Sequence, residues 1–401
     1  MLTPARALAI ALSACPRLPE ELVELSAAAG RVLARPLRAR RGYPAFDNSA
    51  MDGWALRSAD ARRVGAQEVQ CFSVAGVSAA GQPYGRRLLR GQAVRIYTGA
   101  PLPAGADTIV AQEDAQLLPG RLCVLGPIRK GRHVRLAGED FGRGAQLAKA
   151  GQRVDSRWLA LLTASGYAKV PCLRSPRVAL FATGTELARP GSRLKGGQIY
   201  DTNSPMLAAL LASSGARVRA LPRLPDDLER LVRALKRAAS RADMVVLSGG
   251  VSAGDRDLVR PALSRAGGRE LFWKVAQKPG KPLFFARLGR VPVFGLPGNP
   301  VAAFACLMEY VAPCLRAMQG LEPRPPQHRL PLGQAFENEE RKTLFLRARS
   351  QGGRLHLLKG QGSHQLLPLA RAHGLAVIPS QRRLRPGDEL RFHPFGWAAC
   401  A

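Results

Sequence analysis

Short apolar runs alternate with helix-like segments between residues 176 and 318, and this alternation constrains the fold more than any other feature of the chain. Runs of Val, Leu and Phe predict buried strands, whereas Pro and Gly mark the ends of the helices between them. Such alternation indicates a largely parallel or mixed sheet covered by helices on both faces. The predicted strands are 178–182, 217–221, 243–247, 271–275 and 291–296; the predicted helices are 203–215, 226–239, one ending at Arg265, and 300–318.

The sequence before and after this segment has a different character. Thr3 and Pro4 predict the N-cap and first turn of an opening helix, and residues 156–165 predict another helix. Between these helices, short β-like runs at 93–97 and 108–112 alternate with Gly and Pro turns, which indicates an inserted β domain. We therefore predict a multidomain α/β plus β protein with four parts: a helical and linker domain (1–45 and 141–172), an inserted small β domain (46–140), a central α/β domain with a mixed sheet (173–322) and a C-terminal β barrel (327–401).

Four polar loops each follow directly after a predicted strand of the α/β domain. They are residues 183–186, 248–255, 277–282 and 297–300. Ligands of open α/β sheets bind outside the carboxyl ends of the strands. If the strands are parallel neighbours, the four loops meet at one crevice, which we predict to be the ligand site.

The residue types in these loops suit an anionic ligand. Gly249 and Gly250 would let backbone N–H groups approach a phosphate closely. Three of the ten lysines in the chain fall within eight residues, which predicts fixed anion contacts. These lysines are Lys274, Lys278 and Lys281, and the carboxylates suited to holding Mg²⁺ against phosphate oxygens are Glu186, Asp255 and Asp257.

Each of these features also has a purely structural interpretation. The two glycines could form a turn, Asn299 and Pro300 fit the N-cap and N1 positions of a helix, and Asp255 fits a cap. Lys274 could point to solvent from its strand, and Glu186 could be a solvated loop charge. We favour the ligand site because four separate loops at strand ends combine glycine with complementary charges. Neither a G-x-G-x-x-G nor a Walker A sequence is present.

The formal net charge of +31 raises the question of nucleic-acid binding. Arginine outnumbers lysine 50 to 10, but the arginines are spread along the chain without a run of five or six like charges. Only 6% of residues are aromatic, and they are not interleaved with basic residues as base stacking would require. We therefore expect no specific nucleic-acid partner and a surface that favours anionic small molecules.

The cysteines and apolar segments indicate the cellular compartment of the protein. Seven scattered cysteines contain no C-x-x-C pair and no zinc spacing with histidine. The apolar run at 7–12 is too short to span a membrane, and no secretory cleavage site follows it. We therefore expect a cytoplasmic protein without membrane association.

The segment Phe46-Asp-Asn-Ser-Ala-Met-Asp-Gly-Trp-Ala55 holds two carboxylates, an amide and a hydroxyl within a few positions. Neither a helix period nor a strand period explains this spacing, so the segment is typical of a functional site. It resembles a hallmark of the molybdopterin molybdenumtransferases, the family that includes the E domain of gephyrin.

Further blocks resemble the same family, in the family's order. The resemblance covers nearly the whole chain, and its specificity lies in the number of blocks rather than in any one of them. The blocks are 96–103 with 105–107, 112–114, Gly138-Glu-Asp140, Thr183-Gly-Thr-Glu186, 197–203, Ser248-Gly-Gly-Val-Ser252, Lys278-Pro-Gly-Lys-Pro282, Leu296-Pro-Gly-Asn-Pro300, Phe345-Leu-Arg347 and Gly360-Gln-Gly-Ser363.

The resemblance implies that the α/β domain binds molybdopterin, and that molybdate and adenylylated molybdopterin give molybdenum cofactor and AMP with Mg²⁺. It implies a homodimer whose sites are shared between subunits. Splitting a phosphoanhydride needs positioning and charge neutralisation more than a covalent nucleophile. The implied catalytic residues are Asp52, Thr98, Glu186, Lys274 and Lys278; the implied metal ligands are Glu186, Asp257 and Asp52; the implied substrate contacts are Asp140, Ser248, Gly249, Gly250, Ser252, Lys281, Pro297, Pro300, Arg347 and Ser363.

Small departures from the family pattern occur at Trp54, Ala253 and Arg256, where tyrosine, valine and tyrosine are common. Arg256 adds a cation to a carboxylate-bearing loop and would weaken metal binding there. A scaffold that keeps the fold but works through protein contacts is the alternative function, and the retained carboxylates and lysines disfavour it. Molybdate and tungstate remain alternatives as the oxyanion.

Overall fold

The computed structural model describes residues 1–61, 68–220, 223–224, 227–251, 257–324 and 328–396. The chain divides into two compact units. One contains Met1–Glu21, Gly30–Ala34 and Pro171–Ala401, and the other contains Leu22–Ala29 and Arg35–Val170. Each unit is built around its own six-stranded sheets and apolar clusters.

The smaller unit contains a six-stranded sheet in which one neighbouring pair is parallel and the others are antiparallel. Trp54, Phe72 and Leu122 pack on one side of it, so Trp54 is 6% exposed and belongs to a core. The predicted β runs at 93–97 and 108–112 are confirmed to within one residue. In sheet order the strands are Thr108–Ala111, Gly53–Leu56, Gln92–Ile96, Val69–Ser78, Arg121–Leu125 and Ala115–Leu118.

Shorter elements complete this unit. The predicted second helix is confirmed as Ser156–Ala164, and its N-cap Asp155 accepts hydrogen bonds from the backbone N–H groups of Arg157 and Trp158. Cys71 and Cys123 lie opposite each other on neighbouring antiparallel strands and form a disulfide, a pairing that no sequence spacing indicated. The remaining strands are Leu37–Arg38, Asn48–Ser49, Val134–Arg135 and Gln146–Ala148, and the 3₁₀ turns are Leu25–Ala27, Ser58–Asp60 and Gln112–Asp114.

The central sheet of the larger unit is mixed, as predicted. Four neighbouring strands are parallel, and the last two pairings are antiparallel. Buried apolar clusters lie on both faces, which explains why the strands read as continuous apolar runs. In sheet order the strands are Arg217–Ala220, Arg177–Ala182, Met244–Ser248, Val291–Leu296, Phe284–Leu288 and Arg269–Trp273.

Helices cover this sheet close to the predicted positions. Thr3 caps the first helix by accepting from the backbone N–H of Arg6, as predicted. The predicted cap Asp226 lies outside the described residues, and the described cap of that helix is Asp227. The helices are Pro4–Ser13, Asn203–Ser213, Leu228–Ala239, Val259–Arg265, Pro300–Cys306 and Ala312–Met318, the last two joined by a π-helical turn at Leu307–Val311.

The stretch Pro300–Met318 is long and apolar enough to cross a membrane, but 89% of it is buried inside the protein. It is therefore a core helix of the α/β domain. Its π-helical turn carries Glu309, which is 2% exposed and pairs with His393 of the last strand and with Arg324. The same turn carries Tyr310, whose hydroxyl donates to the Oε1 atom of Gln277.

The C-terminal segment forms a β domain whose core includes Leu332, Leu346 and Ile378. Its main sheet also contains a strand from outside the domain, because Gln277–Lys278 pairs in parallel with Thr343 and Leu344. The strands are His328–Pro331, Phe336–Asn338, Thr343–Gln351, Arg354–Leu357, Gly374–Ile378, Arg382–Leu384 and Glu389–Pro394, with one helix at Leu366–Arg371. Outside the main sheets lie the strands Leu187–Ala188, Ile199–Tyr200, Glu20–Glu24 and Lys169–Leu173.

Candidate functional site

Three neighbouring parallel strands end at one level and open a cleft of about 1220 Å³. Ala182 is in register with Ser248, and Ser248 is in register with Leu296. The loops that follow these strands, 183–186, 248–250 and 297–300, therefore line the same cleft, as the sequence predicted. The loop 277–282 lines it too, because the strand before it, Arg269–Trp273, points in the same direction as the parallel strands.

The glycine pair after the second strand brings backbone close to the neighbouring loop. Gly249 and Gly250 have φ angles of 92° and 67°, a left-handed conformation that favours glycine. A Cβ at Gly249 would lie 2.6 Å from the carbonyl oxygen of Thr183, so a side chain is excluded there. Gly249 and Gly250 both line the cleft, at the position expected from the sequence.

Asn203 is a buried polar residue of the cleft wall; the sequence placed it at the start of a helix and not among the predicted site residues. Its Nδ2 atom donates to the Oγ of Ser248 at 2.8 Å and to the carbonyl oxygen of Gly298 at 2.7 Å. The two contacts fix the orientation of the amide, and its Oδ1 atom then has no hydrogen-bond partner among the described residues. Asn203 is 8% exposed. A buried acceptor without a partner is unfavourable unless a ligand supplies the donor.

The predicted carboxylates of the larger unit line the cleft. Glu186 is exposed and Asp257 is half-buried. A Cβ at Gly184 would lie 2.5 Å from an oxygen of Glu186, so the glycine leaves the room that this carboxylate occupies. Within the described ranges, no group of three or more His, Cys, Asp or Glu side chains forms a ready metal cage. Ser252, Asp255, Ala253 and Arg256 lie outside the described residues.

Two of the three predicted lysines, Lys278 and Lys281, line the cleft. Lys274 is not among the lining residues; its Nζ atom lies 3.7 Å from the centre of the Trp273 ring, where a cation–π contact holds it. Its φ of 68° turns the chain between two strands, which a strand reading of the sequence could not foresee. Lys342, which was not predicted, lines the cleft from the C-terminal domain.

A carboxylate connects the lysines of the cleft. Lys278 Nζ donates to Glu340 Oε1 at 2.5 Å, and Lys342 Nζ donates to Glu340 Oε2 at 3.1 Å. The hydrogen bond from Lys278, helped by that from Lys342, holds the pKa of Glu340 below its usual range. The charge of two of these three lysines, Lys278 and Lys342, is therefore partly compensated by the Glu340 carboxylate.

The loop 277–282 is held from behind by a buried amide. Gln277 is fully buried, and its Nε2 atom donates to the carbonyl oxygens of Pro279 and Gly280, each at 3.3 Å. Its Oε1 atom accepts from the Tyr310 hydroxyl. These contacts fix the backbone from which Lys278 and Lys281 project.

Loop 361–364 of the C-terminal domain closes another side of the cleft. Ser363 lines it and accepts a hydrogen bond from Asn299 Nδ2 at 3.0 Å. Asn299 occupies the predicted N-cap position and Pro300 the predicted N1 position, but the Asn299 side chain makes this loop contact instead of capping the helix. Pro297 and Pro300 both line the cleft, as predicted.

Arg347 supports this loop rather than lining the cleft. It is 1% exposed, and its guanidinium donates to Gln361 Oε1 at 3.1 Å and to the carbonyl oxygens of Gly362 and Gln365 at 3.0 and 3.1 Å. Burial lowers the pKa of its guanidinium. The predicted direct anion contact by Arg347 stays a prediction; the observed contacts hold the loop that carries Ser363.

The smaller unit carries the remaining predicted residues. Asp52 Oδ1 accepts from the Thr98 hydroxyl and from the Thr98 backbone N–H, each at 2.7 Å, and these two bonds lower the pKa of Asp52. The structure therefore brings Asp52 and Thr98 together, both on the surface. Asp140 is also exposed, and its backbone N–H donates to the carbonyl oxygen of Tyr43.

Comparison with known proteins identifies family models, relatives and a solved structure that are similar to this chain. Three family models match: the MoeA N-terminal region (domains I and II) over residues 2–166, a probable molybdopterin binding domain over 179–317, and the MoeA C-terminal region (domain IV) over 329–395. A molybdopterin molybdenumtransferase of Nostoc sp. is 35% identical over 90% of this chain and 85% of the relative. Molybdopterin molybdenumtransferase 2 of Mycobacterium tuberculosis is 38% identical over 89% of this chain and 90% of the relative. The crystal structure of a molybdopterin biosynthesis MoeA protein from Pyrococcus horikoshii superimposes with a TM-score of 0.85 at 30% identity, over 99% of this chain and all of that one.

Proposed function

The chain belongs to the molybdopterin molybdenumtransferase family, and on that premise we propose that it joins molybdate to adenylylated molybdopterin and releases AMP, with Mg²⁺ as the metal. It is a transferase of molybdenum cofactor biosynthesis that inserts molybdenum into molybdopterin. The adenylylated form of the substrate, the metal and the assembly state are the parts that we propose.

The observation that carries the proposal is the set of groups in one cleft. Backbone of the glycine loop, the carboxylates of Glu186 and Asp257, and the lysines at 278, 281 and 342 line the same volume. A pterin offers ring N–H donors, which suit the open Oδ1 acceptor of Asn203. The phosphates and the oxyanion would contact the lysines, which lower the cost of bringing anions together.

The donor set of the cleft fits Mg²⁺. This ion keeps several waters and is commonly held by one or two carboxylates together with substrate phosphates, rather than by a full protein cage. Glu186 and Asp257 would hold it, and when bound it neutralises charge on the phosphate oxygens. Asp52 was predicted as a further ligand and lies in the other unit of the chain.

The proposal includes a homodimer in which Asp52 and Thr98 of one chain meet the lysine loop of the other. The support is indirect: the hydrogen-bonded pair Asp52–Thr98 is exposed although family resemblance gives both residues a catalytic role. We also propose a cytoplasmic location. The neighbouring thiols of Cys15 and Cys314 are free, which supports a reducing compartment. The disulfide between Cys71 and Cys123 is the observation that favours an oxidising one.

The decisive experiment measures AMP and bound molybdenum after purified protein is mixed with adenylylated molybdopterin, molybdate and Mg²⁺. We expect AMP in equal amount to the molybdenum incorporated. Equal rates with molybdopterin that lacks the adenylyl group would overturn the adenylylated substrate. Full activity in excess EDTA would overturn the metal. A parallel titration with tungstate decides which oxyanion is preferred.

Glu186→Gln provides a sharper test of the metal site. The change keeps the shape of the side chain but removes its charge. The Mg²⁺ concentration for half-maximal AMP release should rise about tenfold or more, because one of two carboxylate ligands is lost. An unchanged requirement for Mg²⁺ would remove Glu186 from the metal site.

A further inference from the structure

A second groove, of about 980 Å³, lies between the helix Leu228–Ala239 and the edge strand Arg217–Ala220. Among the residues that the structure describes, it shares no lining residue with the candidate site. The helix packs over the inner strands through Leu231 and Leu235 and leaves this side of the edge strand uncovered. The floor of the groove therefore includes core side chains of the sheet, among them Phe181.

One face of the helix lines this groove with a stripe of arginines. Arg230, Arg233 and Arg237 follow a spacing of three or four residues, which places them on the same side of the helix, and Arg241 lines the groove two residues beyond the helix end. Ala234 and Ala238 lie between them and line the groove as well. These small side chains leave room for a ligand to reach the apolar floor between the guanidinium groups.

The strands add three more arginines to the opposite wall. Arg217 and Arg219 flank Val218, which packs against the core of the other face, so strand alternation directs both arginines to the groove side. Arg177 of the neighbouring strand also lines the groove. Seven of the fifteen described lining residues are arginine, against 50 of 401 in the chain, so the arginine bias of the composition does not explain the cluster.

Most of this charge is not neutralised. Arg177 pairs with Asp243 at 3.3 Å, and Arg230 approaches Asp227 at 3.8 Å. Within the described ranges, the other five arginines have no carboxylate within salt-bridge distance, and no carboxylate lines the groove. Like charges three or four residues apart destabilise a helix, so an anionic partner would relieve repulsion that the free protein retains.

We propose that this groove docks an acidic, amphipathic segment of a partner protein. The helix is 12 residues long, about 18 Å, so the arginines are spread over a greater length than one phosphate or carboxylate can contact. A segment with several spaced carboxylates matches that spread, and arginine forms bidentate hydrogen bonds with carboxylates. Apolar side chains on the other face of the segment would cover Leu224, Ala234 and Ala242, which line the groove and are only half-buried.

The floor favours a peptide over a nucleic acid. Single-stranded nucleic acid binds by stacking its bases on accessible aromatic rings. Phe181 is the aromatic residue among the lining residues of the groove, and it is 2% exposed, so it offers no stacking face. A polyanion without apolar groups would leave the half-buried Leu224, Ala234 and Ala242 in contact with water.

The test measures binding of a fluorescein-labelled peptide of about sixteen Glu and Leu residues, long enough to match the helix, with Leu at a spacing of three and four. A scrambled peptide of the same composition and an oligouridylate of similar charge serve as comparison probes. The Arg233→Gln/Arg237→Gln double variant should weaken binding of the amphipathic peptide about tenfold. The matched control is Arg382→Gln/Arg383→Gln, which removes the same charge from an exposed strand of the C-terminal domain and should change binding less than about twofold.

The outcomes separate this proposal from its alternatives. Preference for the amphipathic peptide, lost in the groove variant only, supports it. Equal binding of the scrambled peptide, tighter groove-dependent binding of the oligouridylate, or equal losses in both variants would each overturn it. Molybdenum insertion by the groove variant should equal that of the wild type; a loss of insertion would show that the groove serves the reaction and would also overturn docking. Failure of the proposed chemistry in the wild type would leave the peptide result unaffected.

Discussion

Lys278 Nζ lies 2.5 Å from Glu340 Oε1, so a lysine of the α/β domain is paired with a carboxylate of the C-terminal β domain at the wall of the candidate site. The same carboxylate accepts from Lys342 at 3.1 Å. An oxyanion that binds these lysines, as we propose, would therefore compete with Glu340 for both ammonium groups. We therefore expect Glu340 to weaken the attraction of the cleft for anions before any substrate binds.

Removing the charge of Glu340 should tighten oxyanion binding. In Glu340→Gln the two lysines keep a hydrogen-bond acceptor but lose the compensating charge, and we expect the Kd for molybdate to fall about three- to tenfold. Titration calorimetry with molybdate measures this directly, and Glu340→Asp is the matched variant that retains the charge. Unchanged or weaker binding in Glu340→Gln would show that the carboxylate orients the lysines instead of competing for them.

The charge of Asp52 should matter more than its hydrogen bonds. Asp52→Asn keeps an oxygen that can accept from the Thr98 hydroxyl and backbone N–H, but it removes the negative charge. We expect AMP release to fall about a hundredfold, with the midpoint of thermal unfolding unchanged because Asp52 is exposed. Activity close to wild type in this variant would limit Asp52 to positioning Thr98.

Mixed dimers test whether the sites are shared between chains. Asp52 and Lys278 belong to different compact units of the chain. If each site takes Asp52 from one subunit and Lys278 from the other, Asp52→Ala and Lys278→Ala each inactivate every site of their own dimers. A heterodimer then has one doubly damaged site and one intact site, so co-refolding equal amounts should restore about a quarter of the wild-type sites.

The readout of this experiment is AMP release by the mixture against each variant alone. Native mass spectrometry of the same sample counts the heterodimers. Heterodimers without recovered activity would mean that each site is built within one chain.

Replacement of Asn203 should weaken binding of the pterin but not binding of the oxyanion. Asn203→Ala removes the buried acceptor at Oδ1 and the contacts to Ser248 and Gly298. Binding of a free pterin should weaken about tenfold, whereas molybdate binding should stay unchanged because the lysines are untouched. Fluorescence titration with the pterin and calorimetry with molybdate compare the two in one variant. Equal weakening of both would indicate a general disturbance of the cleft.

Asp243 should link folding stability to pH. It joins the starts of two central strands by accepting from Arg174 at 2.7 Å and from the Arg177 backbone N–H at 2.8 Å, and its side chain is 11% exposed. Burial raises the pKa of this carboxyl, but the hydrogen bonds from Arg174 and Arg177 outweigh burial and lower it overall. A lowered pKa means that the stabilisation is present above the unfolded-state pKa of about 3.9 and is lost as pH falls through the lower folded-state value.

Asp243→Asn should therefore lower the free energy of unfolding by about 2 kcal/mol at neutral pH, since Arg174 loses its charged partner. The difference between variant and wild type should shrink below about pH 4. Urea unfolding at several pH values measures both effects. A difference that stays constant down to pH 2 would assign the loss to packing rather than to ionisation.

Local signals explain which parts of the fold the sequence predicted well. Three elements depend mainly on residues close in the chain, so the local sequence was enough to predict them. They are the Thr3 cap, the strand Val291–Leu296 and the helix start at Pro300. The convergence of strand-end loops was also predictable, because parallel neighbours share an edge. Contacts between distant segments were not predictable in this way.

Three contacts show the limit of local reasoning. The partner of Lys278 is a carboxylate 62 positions away, and nothing near either residue specifies the pair. Lys274 was predicted from its neighbours in sequence, but the turn at a φ of 68° directs its ammonium group to the Trp273 ring. The family resemblance gives Arg347 an anion contact, which stays a prediction, whereas the structure shows a buried guanidinium bound to the loop that carries Ser363.

The ladder between Gln277–Lys278 and Thr343–Leu344 has a consequence for recombining such proteins. The prolines at 323–326 look like a convenient crossover point for exchanging C-terminal domains between relatives. A chimera cut there would pair a lysine loop from one parent with a strand and a Glu340 from the other. The loop 277–282 and the strand Thr343–Gln351 should therefore be exchanged together. Chimeras that take both from one parent should retain the cleft, whereas exchange of the C-terminal domain alone should distort it.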